Sequence, residues 1–127
     1  MALACCCITA CWIARVSKGK LDIEILLNAT LAGGVALGAS ADLVSHPFGA
    51  MIIGSLAGIV SALGYAYFTP IARQRLGIHD TCGVTYLHFI PGVMGGLISA
   101  VMVELADGDD QFGTQFNSYF FETRTPR

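Results

Sequence analysis

From Pro47 to Ala72 the chain carries no Asp, Glu, Lys or Arg. This stretch, "PFGAMIIGSLAGIVSALGYAYFTPIA", exceeds the roughly 20 apolar residues needed to cross a hydrocarbon layer about 30 Å thick, and leaves length for tilt. Water is absent there, so the backbone must satisfy its own hydrogen bonds, and an isolated run of this kind folds as a helix. A second uncharged run, "TCGVTYLHFIPGVMGGLISAVMV", extends from Thr81 to Val103 between Asp80 and Glu104. Apolar residues make up 54% of the chain and charged ones only 13%, about half the charge of a typical soluble domain. The implied class is an all-α integral membrane protein.

Charges divide the chain into elements. Spanning helices are expected at 23–43, 47–70 and 81–104, with Glu24 at the interface of the first. The opening run "MALACCCITACWIA" (1–14) is too short to span and lacks the basic start of a signal peptide. It reads as part of a fourth helix, so the chain is expected to begin in mid-element. The polar stretch 105–127 reads as an extracellular loop or tail. Arg15, Lys18 and Lys20 precede the first full span, and Arg73 and Arg75 separate the second from the third. Basic loops stay cytoplasmic, which places the loop around Asp42 and the acidic tail outside. The sequon at Asn28 then falls near a cytoplasmic helix end and is discounted.

Several function classes lose support. No basic cluster with interleaved aromatics points to nucleic acid. Four of the five cysteines lie in the apolar N-terminal run, where cysteine acts as a small hydrophobe. Neither metal-ligand spacing nor a nucleophile–base pair is evident, so neither an enzyme nor a cofactor is expected. His46 and His79 lie at segment edges and are expected to be solvated. Gly34 and Gly38, Gly54 and Gly58, and Gly92 and Gly96 each repeat at the four-residue spacing that lets helix backbones approach closely in lipid.

His88 stands apart. It lies eight residues beyond Asp80, about 12 Å along a helix and well inside the hydrocarbon layer. Ionisable residues at that depth are costly and usually face a bundle interior or a pathway. Val84 lies one turn below it, and Gly92 and Gly95 lie above. Pro91 has no N–H, so the Leu87 carbonyl loses its helical partner beside the imidazole. A neutral imidazole offers one donor and one acceptor, suited to a small polar solute. A permanent ion would fare badly there. Two roles fit: a hydrogen bond to a neighbouring helix, or a place in a pathway lining. Asp80 is expected to cap the N-terminus of its helix.

The blocks "NATLAGGVALG", "PFGAMIIGSLAGIVSALGY", "FTP" and "DTCGVTYLHFIPGVMGG" resemble the ammonium transporter family, in its Rhesus-glycoprotein (Rh) branch. The resemblance runs over essentially the whole chain, in the right order and spacing. It implies part of a helical bundle, about the eighth to tenth helices of the family and part of the seventh. Family members form trimers with one pore through each subunit, conduct ammonia or ammonium, and in the Rh branch are associated with carbon dioxide. Leu87, His88, Ile90, Pro91 and Gly92 match the motif that carries the second of two pore histidines. Val84 matches an apolar pore-lining position, and Asp80 the acidic residue at the start of that helix. Phe89 stands where the family has a small residue, and Thr85–Tyr86 replaces smaller polar ones.

The resemblance therefore implies a multi-pass membrane protein, placed in the plasma membrane, that assembles as a homo- or hetero-trimer. The partner histidine, the outer recruitment site and the phenylalanine gate belong to the half of the bundle that these blocks do not cover. The chain is expected not to conduct alone. Two other readings stand beside transport: a non-transporting membrane subunit that packs against complete channels, and an inert partial product.

Overall fold

The computed structural model describes residues 1–44, 46–77 and 79–105. Helix α1 spans Ala2–Lys18, α2 Ile23–Gly38 and α3 Pro47–Leu63. Helical winding continues beyond α3 through a π-turn (Gly64–Phe68), the short α4 (Thr69–Ile71) and a second π-turn (Ala72–Leu76). A third π-turn, Thr85–Phe89, leads into α5 (Ile90–Leu105). No strand occurs among the described residues.

Local chemistry sets the ends. Gly19 adopts φ 69°, and its N–H returns to the Arg15 carbonyl, the left-handed stop that glycine adopts without steric cost. Helix α1 therefore runs beyond the expected 1–14, with Arg15 and Lys18 in its last turn, where cations complement the helix dipole. Asp22 Oδ1 accepts from the Glu24 N–H at 3.1 Å and starts α2. Its other oxygen meets Lys18 Nζ at 3.0 Å. Pro47 occupies the first turn of α3, where its missing N–H costs nothing.

The expected span at 23–43 is helical only to Gly38. Beyond it Ser40 donates its N–H to Leu37 O, and the Leu43 N–H returns to Ser40 O, turning the chain through Asp42. The resulting 16-residue α2 is only about 24 Å long. The expected span at 47–70 instead continues to Leu76, and winding in the last span begins only after the Gly83 turn, with regular α-helix from Ile90. Two helical segments, Pro47–Leu76 and Thr85–Glu104, are long and apolar enough to cross a membrane. The expected tail lies, beyond residue 105, outside the described residues.

Helices α1, α2 and α3 pack mutually, and α5 lies mainly against α2. The interior is built from small side chains. One cluster joins Cys6, Ala32, Ala36, Ile53 and Ala57; a second joins Ala10, Ala14, Ile25, Ala29 and Ala62. Large apolar residues such as Ile8, Trp12, Leu27 and Leu56 face outward instead. In water that arrangement would waste the hydrophobic effect. In lipid it wastes nothing, since tails are as apolar as leucine and association depends on close packing.

Glycines provide the closest approaches. A Cβ added at Gly54 would lie 2.6 Å from Ala2 Cα, one at Gly58 2.6 Å from Cys6 O, one at Gly33 2.6 Å from Cys6 Cβ and one at Gly95 2.6 Å from Ala36 O. The Gly54–Gly58 pair thus acts as its spacing suggests. On α2 and α5 the contact glycines are Gly33 and Gly95, while Gly38 and Gly96 meet nothing within 4 Å.

Gly58→Ala is expected to cost about 1–3 kcal/mol through overpacking against α1. Gly96→Ala should be neutral or gain a few tenths of a kcal/mol from helix propensity. Unfolding of the detergent-solubilised chain with added sodium dodecyl sulfate, followed by circular dichroism, compares the two.

Candidate functional site

The segment carrying His88 is organised from the Asp80 turn upward. Asp80 Oδ1 accepts the Val84 N–H at 2.9 Å and Oδ2 the Thr85 N–H at 2.8 Å. Gly83, at φ 65°, makes the tight entry, and its carbonyl accepts from the N–H groups of Tyr86 and Leu87 at 3.1 and 3.0 Å. Partial burial would raise the Asp80 carboxyl. Hydrogen bonds from Thr85, Val84 and Gly83 together outweigh it and hold the group below its ordinary value.

Winding changes directly above this cap. The Ile90 N–H reaches back five residues to Thr85 O, closing the π-turn Thr85–Phe89, and Pro91 follows. Because proline has no N–H to donate, the ladder shifts by one residue there. Such π-bulges concentrate at functional sites. The same device occurs at the end of α3, where Thr69 donates to Gly64 O and Pro70 follows.

On α5 and its π-turn, one side is packed: Tyr86, Pro91 and Gly95 are buried, and Gly95 lies against the Ala36 backbone. His88 lies on the other side and is exposed. Val84 shares that open side at 50% exposure, and Phe89, Val93, Leu97 and Val101 are also exposed. Among the described residues His88 has no hydrogen-bond partner, so the alternative of a bond to a neighbouring helix is not realised there. Phe89 adds its bulk to this open side. Tyr86 turns inward, where a Cβ at Gly64 would collide with its ring.

One polar cluster was not anticipated from sequence. Asn28 Nδ2 donates to Tyr65 Oη at 2.8 Å, and Tyr65 Oη lies 3.5 Å from Glu24 Oε1. The Tyr65 and Tyr86 rings pack at 5.9 Å between centroids, tilted by 60°. Tyr65 also fills the space that a side chain at Gly83 would need. Each tyrosine thus sits over the glycine beside the other. The signal lies in "YAYFTP" and "YLHFIP", which set Tyr, Phe and Pro at the same spacing in both segments. Among the described residues no three His, Cys, Asp or Glu side chains converge as a metal would require.

The profile of the Ammonium Transporter Family matches residues 1–124. Ammonium transporter Rh type A of Canis lupus familiaris is 50% identical over 107 residues, covering 83% of this chain and 26% of its own length. Ammonium transporter Rh type C of Bos taurus is 48% identical over 123 residues, covering 91% of this chain and 26% of its own. The solved structure of Nitrosomonas europaea Rh50, described with the mechanism of conduction by the Rhesus protein family of channels, superposes with a TM-score of 0.76. It is 35% identical and covers 80% of this chain and 27% of that one. The chain thus spans about a quarter of the length of these relatives.

The Asp80 cap carries a pH signature. A carboxyl held below its unfolded value stabilises fully above that value, and its contribution fades as pH falls through the folded one. Asp80→Ala is expected to lose about 1 kcal/mol at neutral pH. Its deficit against the native chain should narrow from about pH 4 downward. Denaturation of both chains across pH 2–7 measures the gap.

Proposed function

The chain belongs to the Ammonium Transporter Family, and we propose that it supplies one wall of an Rh-type pathway for ammonia, lined by His88 and Val84. The observation that carries this reading is a histidine on the open side of an otherwise apolar helix, without a hydrogen-bond partner among the described residues and next to a proline-linked π-turn. A neutral imidazole can donate to one solute and accept from the next. Ammonia does both in return. Ammonium would have to leave its proton behind, because an unpaired charge in this lining costs too much. Carbon dioxide, which accepts but does not donate, is the second solute class such a lining admits.

The described helices leave the His88 side of α5 uncovered, so a closed lumen needs further helices over it, from the same polypeptide or another subunit. Assembly as a trimer in the plasma membrane fits this proposal. The same open side supports a second reading, in which the chain packs against complete channels and alters their flux.

Uptake of methylammonium by cells lacking their own ammonium transporters tests both readings. The 127-residue chain alone is expected to stay at background; strong uptake that depends on His88 would sink the single-wall reading. In a complete Rh protein carrying this segment, His88→Ala should slow uptake roughly five- to tenfold, the loss of one hydrogen bond of about 1 kcal/mol. If co-expression of the chain changes the flux of a complete channel and the two co-purify, the subunit reading is supported.

A further inference from the structure

The helical segment from Pro47 to Leu76 has 30 residues and is about 45 Å long, against a hydrocarbon layer of about 30 Å. Its last turns therefore project beyond the apolar layer at the basic end of the bundle. That end carries Arg15, Lys18 and Lys20 as well as Arg73 and Arg75. Between the end of α1 and these projecting turns lies an open cleft of about 410 Å³. Lys18 lines one side; Tyr65, Thr69 and Arg73, each four residues on from the last, line the other together with Gln74.

Three observations give the cleft a ligand chemistry. First, it is cationic. Arg73 forms no ion pair among the described residues, and Asp22 engages Lys18 in the only pair found among them; an ammonium has three donors, so Lys18 can serve both. On the other side Glu24 lies against the Tyr65 hydroxyl. Second, the lining residue Thr69 has a buried Oγ1 with no hydrogen-bond partner among the described residues, a cost that a bound acceptor would remove. Third, the projecting turns carry exposed Tyr67, Phe68 and Ile71, an aromatic and apolar margin of the kind that sits at headgroup level.

We propose that this cleft holds the phosphate of an anionic phospholipid, with Lys18 and Arg73 as its cationic partners, the Thr69 hydroxyl as a further donor, and the acyl chains running down the apolar margin. A soluble phosphate would use the polar partners and leave that margin without a role. Basic pockets between membrane helices on the cytoplasmic side suit anionic headgroups on general grounds.

Native mass spectrometry of the purified 127-residue chain in detergent tests this by retention of phosphatidylglycerol against phosphatidylcholine. The native chain should prefer the anionic lipid. Lys18→Gln and Arg73→Gln should each reduce that preference roughly fivefold. Arg75→Gln, on the same turns but outside the cleft, should leave it unchanged. Thr69→Val is nearly isosteric. It should reduce retention by a similar factor, whereas a hydroxyl with no ligand would, when removed, leave lipid preference untouched. Circular dichroism confirms that each variant keeps its helix content.

Equal retention of the two lipids by the native chain overturns the proposal. So does a loss from Arg75→Gln as large as that from Arg73→Gln, which would mark diffuse charge and not a site. Displacement of the lipid by millimolar inorganic phosphate would make the ligand soluble and overturn the lipid assignment. The readout is lipid retention and not flux, so its failure is distinguishable from failure of the ammonia pathway.

Discussion

Close packing of small residues at the α1–α2–α3 contact is the condition on which the rest of this structure rests. Lipid supplies no hydrophobic drive between helices, so attraction must come from many short dispersion contacts. Those contacts need backbones to come near one another, and Cys6 of α1 shows how near. Its backbone lies against Gly58 of α3, and its side chain against Gly33 of α2 and the Ala29 carbonyl. With α2 held in this way, its next glycine-tolerant surface, at Ala36, receives Gly95 of α5. The position of the candidate pathway wall is thus inherited from contacts two helices away.

Prolines add a second layer of control. Pro70 and Pro91 each follow a π-turn, and the two turns bring Tyr65 and Tyr86 into ring contact over each other's glycines. Four residues apart, the imidazole and Val84 share one side of the winding, the side on which both are exposed. The bulk of Tyr86 and of Phe89 is handled separately. Tyr86 is accommodated by the missing side chain at Gly64, and Phe89 is turned outward.

Much of the site was legible from residue chemistry. Asp80 lies just before an apolar run, and its carboxylate does meet the Val84 and Thr85 N–H groups. The reading of Pro91 as a disturbance beside His88 was also sound in kind. Its form has a further part: just before Pro91 the ladder steps back, with the Ile90 N–H on Thr85 O. The glycine spacing named the right residues on α3 but neighbours of the right ones on α2 and α5. Glycines at 33 and 34, or 95 and 96, satisfy the same local pattern, and only the approaching helix selects between them.

The sequence by itself determined the membrane class, the family and the approximate place of each helix, because these follow from where charges are absent and where caps and prolines stand. Such signals act within one or two helical turns and need no partner. Tertiary structure alone decided which glycines touch, that α2 stops at Gly38 while the α3 winding runs to Leu76, that Tyr65 joins Asn28 and Glu24, and that His88 turns away from the packed helices. Each of those outcomes depends on close contacts between segments up to about sixty residues apart, whose energies are set by distance in space and have no fixed signature along the chain.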